Sequence, residues 1–103
     1  MEDADANTGD IQSLRIGGKL VIADVAAHKV RILDTLESCR ELVLELDAVE
    51  ECDTAGVQLL LASTRLTSPE GKAIRLGRCS DSVRATAAKL GLRLVTAEDK
   101  REG

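Results

Sequence analysis

Residues 41–66 read Glu41-Leu42-Val43-Leu44-Glu45-Leu46-Asp47-Ala48-Val49-Glu50-Glu51-Cys52-Asp53-Thr54-Ala55-Gly56-Val57-Gln58-Leu59-Leu60-Leu61-Ala62-Ser63-Thr64-Arg65-Leu66, and within them the chain changes character three times. Glu41–Leu46 alternates with a period of two: Leu42, Leu44 and Leu46 point one way and Val43 and Glu45 the other, the pattern of a strand with one buried face. Glu50 to Gly56 reads as an acidic turn that closes on small residues. Val57, Leu60, Leu61 and Thr64 then recur at i, i+3, i+4 and i+7, with Leu59 widening the stripe, as on a mostly buried helix from about Ala55 to Leu66. Strand, acidic turn and helix in succession put Thr54 at a helix N-terminus.

Outward from this centre the same alternation of elements continues. Ile11, Leu14 and Ile16 suggest an edge-like strand, Gly17-Gly18 a turn, and Lys19–Ile22 a second strand, so the opening reads as a hairpin. Asp24 is placed to cap a helix whose apolar residues are Val25, Ile32 and Leu36, with Ala26, Val30 and Leu33 beside them. Beyond the central stretch, Pro69-Glu70-Gly71 is a turn and Lys72–Leu76 a short strand. Ser80 or Asp81 caps a last helix carrying Val83, Ala87, Ala88 and Leu90, which ends at Gly91. Leu92, Leu94 and Val95 add an edge segment. The order is β-β-α-β-α-β-α: an α/β fold with one mixed sheet of four to five strands and helices packed mainly on one face. Residues 10–96 form the single domain, 1–9 a disordered tail and 97–103 a frayed charged tail.

Composition narrows the function. The 103 residues include no aromatic side chain, so there is no platform on which bases could stack. The formal charge of −4 disfavours a polyanionic partner and favours a basic protein surface. No apolar run reaches the roughly 18–20 residues that span a bilayer. The acidic start, Met1 to Asn7, is the wrong chemistry for a signal or transit peptide, which points to the cytoplasm. Three widely spaced cysteines, Cys39, Cys52 and Cys79, and the single His28 make neither a disulfide framework nor a zinc set. His28 reads as a boundary residue of its helix. No metal or cofactor is expected.

Catalytic chemistry is equally thin. Gly17-Gly18 lacks the spacing of a phosphate-binding loop, and no nucleophile elbow occurs. Asp47, Glu50, Glu51 and Asp53 have no apolar surroundings in sequence to separate their pKa values for acid–base work, and they lack calcium-loop spacing. A thiol enzyme built on Cys52 is disfavoured because its acidic neighbours raise the thiol pKa. Thr54 is different. A hydroxyl residue at a helix N-terminus caps the unpaired amides. The same position tolerates a phosphate of about −1.5 to −2 charges at pH 7. A partner docked there would then meet a dianion next to Glu50, Glu51 and Asp53. Ala55 and Gly56 keep the turn low for its approach.

At these residues the sequence resembles the STAS domain family, the fold of the anti-sigma-factor antagonists. Leu44-Glu45-Leu46 followed by Asp53-Thr54-Ala55-Gly56-Val57 and a Leu-rich helix is similar to the family's strand, Asp-Ser/Thr-x-Gly motif and helix. Gly18-Lys19-Leu20-Val21-Ile22 resembles its G-x-L-x-I strand. Ala73-Ile74-Arg75-Leu76 with Ser80-Asp81-Ser82-Val83-Arg84 resembles its late strand and S-x-x-V-R helix start. The resemblance covers Ile11 to Leu92 and implies a bacterial, non-enzymatic protein-binding module for signal transduction. It implies that Thr54 is the phosphoacceptor for a partner Ser/Thr kinase of the anti-sigma type, or for a related signalling kinase, and that phosphorylation releases the partner. The contact surface then comprises Glu50, Glu51, Asp53, Thr54, Ala55, Gly56 and Gln58. Thr in place of the commoner Ser opens an alternative: a constitutive STAS subunit of a larger assembly, such as a lipid-transport ABC ATPase complex or a chemosensory kinase cluster, with no covalent switch.

Overall fold

The computed structural model describes residues 11–66 and 70–96; the tails expected at 1–9 and 97–103 and the proline of the expected turn at 69–71 lie outside them. Five strands and three α-helices follow in the order β1 (Ile11–Arg15), β2 (Gly18–Leu20), α1 (Val25–Glu37), β3 (Glu41–Leu46), β4 (Val49–Cys52), α2 (Thr54–Thr64), β5 (Ala73–Cys79) and α3 (Asp81–Lys89), with a 3-10 turn at Ile22–Asp24 between β2 and α1. β1, β3 and β5 form a three-stranded sheet with β3 in the centre, and β2 pairs with β4.

Every strand pairing is parallel, and the opening hairpin does not form. β1 and β2 are two segments of one path that runs beside β3 and β4. The register Leu14↔Leu44 continues into Leu20↔Cys52 with the partner path two residues further on, one residue being taken up before Gly18 and one between Gly18 and Lys19. The amides of Ile16 and Gly18 keep the two paths joined, donating to the carbonyls of Glu45 at 3.0 Å and Ala48 at 3.1 Å. The glycine pair is therefore a kink. Gly18 takes φ +72°, a left-handed conformation that costs glycine little, but the chain does not reverse there. The acidic turn is corrected in the same way. Val49-Glu50-Glu51-Cys52 is a strand, β4, and only Asp53 separates it from α2.

The burial pattern of β3 alternates as its sequence does, with Leu42, Leu44 and Leu46 fully buried. Ile74 and Leu76 of β5 lie on the same face, joined by Ile32 and Leu36 of α1, Val57 and Leu60 of α2, and Val83 of α3 in one aliphatic core. The opposite face carries Ser13, Arg15, Arg75 and Glu41, with Arg75 and Glu41 joined at 2.7 Å, so the helices cover one side.

Two helical stripes differ from the sequence reading. In α2 the buried set is Gly56, Val57, Leu59, Leu60 and Ser63, with Thr64 exposed. Ser63 is accommodated because its hydroxyl donates to the Leu59 carbonyl at 2.8 Å, so its buried polar group is paired. In α1, Val30 is 58% exposed: at 100° per residue it stands about 160° from Ile32 around the helix.

α3 closes the outer edge of β4. The Ser82 hydroxyl donates to the Glu50 carbonyl at 2.7 Å, and Thr86 Oγ1 lies 2.9 Å from the Cys52 carbonyl. Carbonyls two residues apart on a strand are about 6.6 Å apart, close to the roughly 6 Å rise of four helical residues. Two hydroxyls at i and i+4 thus face the two outward carbonyls, Thr86 sharing its one proton between the Cys52 carbonyl and that of Ser82, also at 2.9 Å. Helix α3 covers an edge that would otherwise be open to another strand. Ser80 caps α3, accepting from the Val83 amide at 3.3 Å. Gly91, at φ +74°, ends it: the Leu92 amide donates back to the Ala87 carbonyl at 2.9 Å. The expected edge segment at 92–95 forms no strand; a single bridge joins Leu76 to Thr96.

Candidate functional site

Helix α2 begins where β4 ends, and Asp53 makes the junction. Its backbone is extended, at φ −118° and ψ −175°. Carboxylate oxygen Oδ1 accepts from the Gly56 amide at 3.0 Å, the reach of an N-cap to the third helical residue. Oδ2 accepts from the Ile22 amide at 2.9 Å, and the Asp53 amide donates to the Leu20 carbonyl at 3.3 Å. One residue thus ties the start of α2 to the end of β2 and to the turn before α1. The amide of Ile22, then that of Gly56, holds the Asp53 carboxyl below its ordinary value, because both bonds are made to the ionised form.

The capping role expected of Thr54 therefore belongs to Asp53. Thr54 is the first residue inside α2, and its side chain is exposed. Among the described residues its hydroxyl makes no hydrogen bond. It stands at the positive end of an 11-residue helix with its oxygen free.

The other expected contact residues divide by depth. Glu50 and Glu51 on β4 are exposed, as is Gln58, one helical turn beyond Thr54; Asp53 and Ala55 are half-buried. Gly56 is buried, and a Cβ placed on it would run into the Leu20 carbonyl oxygen. The glycine serves the crossing of α2 over β2, not the approach of another molecule. Asp24, expected to cap α1, makes no side-chain cap bond: its backbone, at φ −109° and ψ −3°, continues the 3-10 turn and lacks the extended conformation of a capping residue.

Burial, then the charge of Asp53, raises the Cys52 thiol, against a hydrogen bond from Thr86 that lowers it; burial raises Cys39. Both thiols are held protonated, the opposite of an activated nucleophile. His28 Nε2 donates to the Lys19 carbonyl at 2.9 Å, which binds the first turns of α1 back to β2 and gives the histidine a structural role. Sequence reading missed Ile22, taken as a strand residue. It lies in the 3-10 turn, 71% exposed. Asp24, two residues later, signals that the strand ends before it, but only the bond from Asp53 shows where the turn is held.

A parallel β-α sheet whose acidic-capped helix presents a hydroxyl at its first position is the architecture of a STAS domain. The family profile described as Mlab, STAS domain, matches residues 4–96, and the chain belongs to the STAS family. Among solved structures it is similar to the anti-sigma factor antagonist SpoIIAA in its unphosphorylated form, with a TM-score of 0.62 and 19% sequence identity over 92% of this chain and 88% of that one. No curated protein matches the chain significantly. No helix among the described residues is long and apolar enough to cross a membrane.

Proposed function

We propose that this chain is a non-catalytic regulatory module that binds a protein partner through the surface around Thr54, and that phosphorylation of Thr54 by a partner Ser/Thr kinase, of the anti-sigma type or related, switches that binding off. The free hydroxyl of Thr54 carries the reading. Asp53 does the capping, so Thr54 Oγ1 can attack the γ-phosphorus of ATP on a kinase without loss of any bond that holds α2. The kinase takes the hydroxyl proton and ADP leaves. The product dianion faces the positive end of α2, so the fold tolerates it. It also puts a bulky, strongly hydrated group where the bare hydroxyl stood, so a partner packed closely on that hydroxyl is displaced by the volume of the phosphate and the cost of stripping its water.

The test is phosphate incorporation from ATP in the presence of the candidate kinase, read by mass spectrometry. Wild type and Thr54→Ser take up one phosphate, and Thr54→Ala takes up none. Equal uptake by Thr54→Ala and wild type would overturn the assignment.

A second reading draws on a separate observation. Ile22, Val30, Leu33 and Leu66 expose apolar surface along the turn, α1 and the end of α2, which suits a permanent subunit of a larger assembly such as a transport ATPase or chemosensory kinase cluster. In that case the complex copurifies with equal affinity whether residue 54 is Thr or the Thr54→Glu substitution.

A further inference from the structure

Resting on the reading of Thr54 as a contact residue, we infer that Ile22 is the apolar anchor of the same interface and inserts into an apolar socket with a basic rim on a protein partner. Ile22 is the most exposed large apolar residue among those described, at 71%. Exposure alone would say little, since single apolar residues on a surface are ordinary. The restraint on this one sets it apart. Its amide is held at 2.9 Å by Asp53 Oδ2, the carboxylate of the residue directly before Thr54. The turn that carries it is closed by the Asp24 amide on the Val21 carbonyl, and α1 beyond it is fastened to β2 through His28. With its backbone fixed in this way, Ile22 requires no ordering of the turn when a partner covers it, which lowers the cost of binding.

The surroundings specify the partner's chemistry. In segments 18–24 and 49–54, Asp24, Glu50, Glu51 and Asp53 outnumber the single cation Lys19. The complementary surface is therefore an apolar socket ringed by Lys or Arg. Asp53 takes a different part from the one its sequence position suggests. Both its oxygens accept from backbone amides, so it positions Ile22 and Thr54 relative to each other.

The test uses the full chain with a benzophenone photocrosslinker at position 22, 58 or 33, Leu33 being an exposed apolar residue of α1 away from the Asp53 junction. The expected result is one protein adduct, the same from positions 22 and 58 and missing from 33. That protein, identified by mass spectrometry and purified, is then titrated against the unphosphorylated chain. Ile22→Ser weakens binding tenfold or more, Ile22→Leu less than threefold and Leu33→Ser less than twofold, and affinity falls with added salt. No adduct at position 22, or an affinity for Ile22→Ser within twofold of wild type, overturns the inference. Phosphate uptake at Thr54 is measured separately, so failure of the phosphoacceptor reading leaves the Ile22 result readable, and the reverse.

Discussion

Helices α2 and α3 both start at a polar junction after a strand, and the two junctions use their hydroxyls in opposite ways. At α3 the hydroxyl residue is itself the cap: Ser80 Oγ accepts from the Val83 amide and is committed to the fold. At α2 a carboxylate stands one position earlier and does that work, accepting from the Gly56 amide, and Thr54 is displaced by one residue into the helix. Both helix starts have the same positive end and the same unpaired amides. A shift of one residue decides whether the hydroxyl is structural or free. The carboxylate at α2 also reaches further than a hydroxyl could, because its second oxygen takes the Ile22 amide. That junction is thus both more firmly held and more open to chemistry.

The largest effect that tests this contrast is expected at Gly56. Gly56→Ala puts a methyl group on the Leu20 carbonyl, and the cost of overpacking is about 2–3 kcal/mol in urea unfolding. A loss under 0.5 kcal/mol would mean that α2 and β2 can separate freely and that the junction is not tight. Next comes Asp53→Ala, which releases the Ile22 and Gly56 amides together. It unfolds at a lower urea concentration than Ser80→Ala, and amide hydrogen exchange at Ile22 and Gly56 quickens. The same variant fixes the pH dependence. The folded pKa of Asp53 lies below its ordinary value, so its contribution is complete above the unfolded pKa and fades as pH falls through the folded one. The gap in stability between wild type and Asp53→Ala is therefore constant near neutrality and closes from about pH 4 downward. A gap that widened in acid would contradict the two amide bonds.

Ser80→Ala follows, costing about 1 kcal/mol as the loss of one N-cap, with phosphate uptake at Thr54 unchanged. Thr54→Ala has the smallest effect on the fold: its stability stays within about 0.5 kcal/mol of wild type while phosphate uptake is abolished. If Thr54→Ala instead destabilised as much as Ser80→Ala, Thr54 would be a second cap and the contrast between the two helix starts would disappear.

Several elements were legible because their signals are local. The alternation at Leu42, Leu44 and Leu46 marks β3 and its buried face. Ser80-Asp81 announces α3, the structure choosing Ser80 as the cap, and Gly91 marks its end with a left-handed backbone. The elements misread depend on partners far away in sequence. Gly17-Gly18 looks like a hairpin turn until β1 and β2 are seen to follow β3 and β4 about thirty residues on. Glu50 and Glu51 look like loop residues because charge dominates them, yet they are in a strand whose other edge is covered by Ser82 and Thr86. Val30 looks apolar enough to be buried, but the helix turns it away from the sheet.

By itself, the sequence determined the α/β character of the chain, the place of a hydroxyl at the start of a buried helix, and the Asp-Thr-Ala-Gly run that marks the family. These follow from periodicity and from residue types within a few positions of each other, which act through local backbone geometry. That every strand pairing is parallel came from the structure. Only the tertiary structure decided that Asp53 caps in place of Thr54, that Gly56 is a close approach to Leu20, and that Ile22 is held out in solvent. The last two rest on contacts between the start of α2 and the end of β2 or the turn beyond it, segments roughly thirty residues apart in the chain. The cap itself spans three residues, and the distant Ile22 amide fixes the carboxylate that makes it. Short-range propensity carries no information about which distant amide or carbonyl will come within reach.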